Sequence, residues 1–93
     1  MIIGTVVFDL HLPGVNSLKE KRRIIKSLIT RVMNKYNVSI AEVAHNDSHR
    51  SSQIGVAVVG NEAKFVDQVI AKVVGEFASN PHFNIVDYRV ELL

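Results

Sequence analysis

From residue 2 to residue 12 apolar and polar positions alternate with a period of two. Val6, Phe8, Leu10 and Leu12 fall on one side, and Ile3, Thr5, Val7, Asp9 and His11 on the other. That is the pattern of a half-buried strand, and Pro13-Gly14 ends it. The period then changes. Leu18, Ile25, Leu28, Ile29, Val32 and Tyr36 recur at the spacing of an amphipathic helix over about 18–35. Ser17 with Glu20 three residues on is a capping box, in which each side chain satisfies a free backbone N–H at the helix start.

Two strands are predicted next, at 38–45 and 52–60, joined by the polar segment 46–51. Asn61 is placed to cap a second helix, with Glu62 in its first turn at the positive end of the helix dipole. Its buried stripe is Val66, Val69, Ile70, Val73 and Phe77, and Ser79-Asn80-Pro81 stops it. A last strand over 82–92 puts Val86, Tyr88, Val90 and Leu92 on one face.

The order β-α-β-β-α-β, with two one-sided helices and half-apolar strands, predicts one α+β domain over 1–93. It is a ferredoxin-like sandwich: a four-stranded antiparallel sheet in the order 4-1-3-2 with both helices on one face. This topology brings one set of strand ends together with the start of the first helix. His11, His45, His49 and His82, with Asp9, Asp47, Arg50 and the segment 16–23, are all expected on that rim. The open face of the sheet should carry Ile3, Thr5, Val7 and Asp9, then Ala57 and Val59, then Phe83, Ile85, Asp87, Arg89 and Glu91. An apolar patch of Ile3, Val7, Val59, Phe83 and Ile85 there suits a homodimer.

Charge sharpens this picture. The net charge is only +2, but residues 1–50 hold eight Lys/Arg against four Asp/Glu, and residues 51–93 hold three against five. Between Lys19 and Lys35 seven cations face only Glu20. Cations in a first helical turn oppose the dipole, so they point to an anionic partner as well as to an ordinary wet face. The candidate anion- or nucleic-acid-binding set is Ser17, Lys19, Lys21, Arg22, Arg23, Lys26 and Arg50, beside an edge cluster of His11, Glu42, His45, Asp47 and His49. On a helical wheel Arg23 lies opposite the apolar stripe, and Lys19 and Lys26 lie well off it. Lys21 and Arg22 border it, so their heads should reach the strand ends, where Glu42 interrupts the second strand as a possible partner.

There is no cysteine, which excludes disulfides and thiolate metal sites and fits a cytoplasmic protein. No window approaches the length of a membrane span, and the apolar N-terminus lacks a basic leader. His45, Asp47 and His49 have metal-binding atoms, but they lie in a turn, and the first and second strands that carry His11 and His45 are separated by the third. No metal, cofactor or catalytic residue is assigned. No serine sits in a nucleophile elbow.

Several segments carry a family resemblance. Residues 16–22 read N-S-L-K-E-K-R, 38–43 read V-S-I-A-E-V, His45-x-Asp47 follows, and 54–59 read I-G-V-A-V-V. The chain resembles the small bacterial YlxP-like family, and Ser48-His49 stands where members often have Leu-Trp. The resemblance implies a ferredoxin-like fold and no established activity. Its members are often encoded among transcription-elongation, translation-initiation and ribosome-maturation genes, which implies RNA or a ribosomal particle as partner. The expected function is a non-enzymatic RNA- or ribosome-associated accessory protein acting through the first helix and the 46–51 loop. One alternative is a small-anion or phosphate binder, or an acylphosphatase-like hydrolase, using the first helix N-terminus. The other is a dimeric structural or regulatory protein.

Overall fold

The computed structural model describes residues 1–93. Its elements are β1 (Ile2–His11), α1 (Leu18–Lys35), β2 (Ser39–Ala44), β3 (Ser51–Gly60), α2 (Ala63–Ala78) and β4 (Asn84–Leu92). The sheet runs β2-β3-β1-β4 with every neighbouring pair antiparallel, which is the predicted ferredoxin-like order.

The period-two alternation of β1 sends Val6, Phe8 and Leu10 toward the helices, where each is buried. Ile54, Val56 and Val58 of β3 do the same beside them. They meet Ile24, Ile25, Leu28 and Val32 of α1 and Val66, Ile70, Val73 and Phe77 of α2 in one core cluster. At its centre the rings of Phe8 and Phe77 stack with centroids 3.8 Å apart. Helix α2 comes close to the two central strands because Gly4 has no side chain. A Cβ there would lie 2.7 Å from Ile70 Cδ1 and closer still to Val66.

The edge strands depart from strict alternation. In β4 the partner of Asp9 is Asp87 but the partner of Leu10 is Ile85, so Val86 is an extra, bulged residue and is 69% exposed. The bulge reverses the facing of everything before it. Phe83 and Ile85 therefore pack toward the core and leave the open face, contrary to the alternation expected for 82–92, and Val86 drops out of the row formed by Tyr88, Val90 and Leu92. On β2 the ladder jumps from Glu42 to Ala44, and Val43 bulges out over Gly55.

The remaining differences lie at element ends. Strand β2 stops at Ala44 because His45 takes a left-handed backbone, φ 62°. The N-cap of α2 is Glu62, without a side-chain capping bond, so neither Asn61 nor an acid in the first turn plays the expected part. The core of α1 also takes in Ile24, which the stripe read from the sequence omits.

Replacing Gly4 by alanine should overpack the contact between α2 and β1. The expected loss is about 1–3 kcal/mol of unfolding free energy, read as a lower urea midpoint with an unchanged denaturant slope.

Candidate nucleic-acid interface

The rim forms around one buried cation. Lys21 sits one turn into α1, on the side facing the β2–β3 hairpin, and is wholly inaccessible to solvent. Its ammonium contacts Glu42 Oε2 at 2.9 Å and donates to the carbonyls of His45 at 2.8 Å and Ser51 at 3.1 Å. Three donors meet three acceptors, which a buried ammonium requires. The hydroxyl of Ser52, itself buried, donates to the same Glu42 oxygen. The left-handed turn at His45 aims its carbonyl at this charge. The expectation that a cation pairs Glu42 holds for Lys21. Arg22 does not join it: its side chain is exposed and makes no ion pair.

A second tie joins the hairpin to the β1–α1 loop. Arg50 Nε donates to the carbonyl of Val15 at 3.2 Å, and Arg50's own carbonyl accepts from Leu12 N–H at 2.9 Å and from His11 Nδ1 at 3.2 Å. His49 is half-buried, while His45 and Asp47 are exposed. Asp47 bonds neither imidazole, so no acid–base dyad forms among them. No three His, Asp or Glu side chains converge closely enough to hold a metal ion.

At the start of α1, Glu20 N–H donates to Ser17 Oγ at 3.1 Å, and Asn16 N–H donates to Glu20 Oε2 at 3.2 Å. The capping box forms, with Asn16 in place of Ser17 as the donor to the glutamate. This consumes backbone donors and sets a carboxylate where an anion would have to enter, so the local field disfavours a small anion at the tip. With Lys21 turned inward, the first turn does not supply the cluster of cations that its sequence promised.

The free positive charge lies instead along the outer face of α1. Lys19, Arg22, Arg23, Lys26 and Arg31 are exposed, and none forms an ion pair. Arg23, Lys26, Ser27, Thr30, Arg31 and Asn34 line a shallow concavity of about 650 Å³ there. Arg31 lies outside the candidate set read from the sequence, although its position eight residues after Arg23 puts it near the same face. Lys35, at the far end, is neutralised by Glu76 at 2.9 Å. The Lys35 hydrogen bond, opposed by burial and helped by Tyr36 and the nearby charge of Arg31, holds the Glu76 carboxyl below its ordinary 4.5. Next to this face is a cleft of about 390 Å³ between α1 and the α2–β4 turn, bordered by Arg23, Arg31 and His82.

Residues 3–90 match the family described as "Protein of unknown function (DUF503)". The chain belongs to the DUF503 family. It is 31% identical over 90 residues to the uncharacterized protein YlxP of Bacillus subtilis (strain 168), a match covering 97% of this chain and 98% of that one. The segment 16–22 of this chain contains three kinds of residue. Ser17 and Glu20 cap the helix, Lys21 ties it to the hairpin, and Lys19 and Arg22 are left in solvent.

Lys21→Met should cost about 3–5 kcal/mol, because Glu42 and the carbonyls of His45 and Ser51 lose the ammonium that they share. Glu42→Leu should cost a similar amount, and Lys21→Met/Glu42→Leu less than the two singles summed. Urea unfolding of the four proteins as a double-mutant cycle measures this; strict additivity would show that the pair does not act as one unit.

Proposed function

We propose that this protein is a non-enzymatic accessory protein that docks on RNA through the outer face of α1. The observation that carries this reading is the row of five unpaired, exposed cations from Lys19 to Arg31. Twelve residues of helix correspond to about 18 Å, long enough to meet several phosphates of one chain. Five cations stand beside one carboxylate, Glu20, on this side of α1, so the surface keeps a net positive charge that can displace counterions. Lys21 takes no part, and Arg50 is held by the β1–α1 loop, so the docking set is narrower than its sequence suggests. The neighbourhood of translation genes implied by the family resemblance points to a ribosomal RNA or particle as the polyanion.

A second reading concerns the uncovered side of the sheet. Ile3 and Val7 of β1, Ala57 and Val59 of β3, and Ala41 and Val43 of β2 share it, and Val59 and Val43 are more than half exposed. A four-stranded, ten-residue face measures roughly 600 Å² from strand spacing, the scale of one side of a modest protein interface. It also carries Asp9 and Arg89, paired at 3.5 Å within the chain, which a two-fold-related copy can pair crosswise. A second copy of this chain is the occupant we propose.

Five phosphate contacts predict that binding to a single-stranded ribosomal RNA fragment weakens about a hundredfold between about 50 and 200 mM salt. Lys19→Glu/Arg22→Glu/Lys26→Glu should lower the slope of log affinity against log salt by about 2. Binding indifferent to salt, or unchanged in the triple variant, removes the reading. Sedimentation at tens of micromolar tests the second: a dimer is expected for the wild type and a monomer for Val59→Glu, and a strictly monomeric wild type rules it out.

A further inference from the structure

The cleft beside the basic face has features that a simple phosphate rail does not need. One wall is α1, contributing Arg23, Ser27 and Arg31; the other is the turn that carries Asn80, Pro81 and His82. Asn80 Oδ1 accepts from His82 N–H at 2.9 Å, which fixes the turn while its imidazole remains exposed at the cleft. At the end nearest the helix start lies Glu20, an acceptor already tied at one oxygen to Asn16 N–H.

We infer that this cleft holds one nucleotide of a single RNA strand, with its base against His82 and its flanking phosphates at Arg23 and Arg31. The inference rests on the RNA reading above and names the form of RNA that the surface selects. Arg23 and Arg31 stand about 12 Å apart along the helix, and their long side chains can lean inward from the two ends of the cleft to the phosphates on either side of one nucleotide. Imidazole offers a flat face on which an unstacked base can lie. A volume of about 390 Å³ falls in the range of small-molecule sites. It admits a nucleotide and not a duplex. An A-form duplex also keeps its bases stacked on one another, with no free face for an imidazole to lie against. The ribose contributes the last element. Glu20 can only accept hydrogen bonds, and the 2′-hydroxyl is a donor that RNA has and DNA lacks.

The test measures binding of a labelled single-stranded 12-mer of oligouridylate and of a blunt 12-base-pair RNA duplex to four proteins. These are the wild type, His82→Ala, Arg31→Ala and the Lys19→Glu/Arg22→Glu/Lys26→Glu variant, whose three positions lie outside the cleft. The wild type is expected to prefer the single strand. His82→Ala should weaken that binding about tenfold, as loss of a stacking partner does, and leave the duplex unaffected. Arg31→Ala should lower the salt slope on the single strand by about 0.7. Both replaced side chains are exposed, and equal melting temperatures exclude unfolding as the cause. Equal affinity for duplex and single strand overturns the inference. So does wild-type affinity in both cleft variants while the triple variant has lost binding, a result that leaves the helix-face reading standing. Absence of RNA binding by the wild type removes both.

Discussion

A single ammonium group organises the end of the molecule where its chemistry is gathered. Lys21 is buried because its helix position points it at the β2–β3 hairpin, and burial is tolerable only because Glu42 and two carbonyls surround it. Those carbonyls belong to His45 and Ser51, the two ends of the hairpin turn. One side chain therefore sets both where α1 starts and how the turn is held. Desolvation and attraction largely cancel in such a pair, so its worth lies in fixing a geometry more than in added stability. The rim, the helix face and the cleft inherit their positions from it.

The cations of α1 divide into two populations by what the fold leaves them. Lys21 and Lys35 are matched to carboxylates on other elements and fasten the helix at both ends, to Glu42 near its start and to Glu76 near its finish. Lys19, Arg22, Arg23, Lys26 and Arg31 have no such partners. A helix secured at each end, with five cations to one carboxylate beside them, presents a net positive charge on a rigid support. Less side-chain and backbone freedom is then lost when a partner binds than on a mobile basic tail.

Much of this was legible before any coordinates. Element order, strand order and the capping box follow from periodicity, whereas Glu42 inside a strand fits either the open face or a cation partner, and the fold decides for Lys21. The failures share a physical origin. The bulge at Val86 shifts side-chain phase by one residue, and nothing in a row of alternating residues marks where that happens. Phe83 and Ile85 therefore lie on the face opposite to the one that alternation predicts. Lys21 and Arg22 both border the apolar stripe when it is read without Ile24, and once Ile24 is counted Lys21 falls inside the stripe and Arg22 at its margin. His82 is placed on the rim by topology, but its position across a cleft from Arg31 depends on how α1 leans toward the α2–β4 turn.

The two bulged valines sit almost level with each other on opposite margins of the sheet, Val43 beside the Ile54–Gln53 step and Val86 beside the Asp9–Leu10 step. Each interrupts the row of outward-facing amides that another chain would need in order to add a strand. Growth by lateral stacking of sheets into open-ended fibrils is thereby obstructed on both sides. Any self-association is steered toward a closed, face-to-face pair.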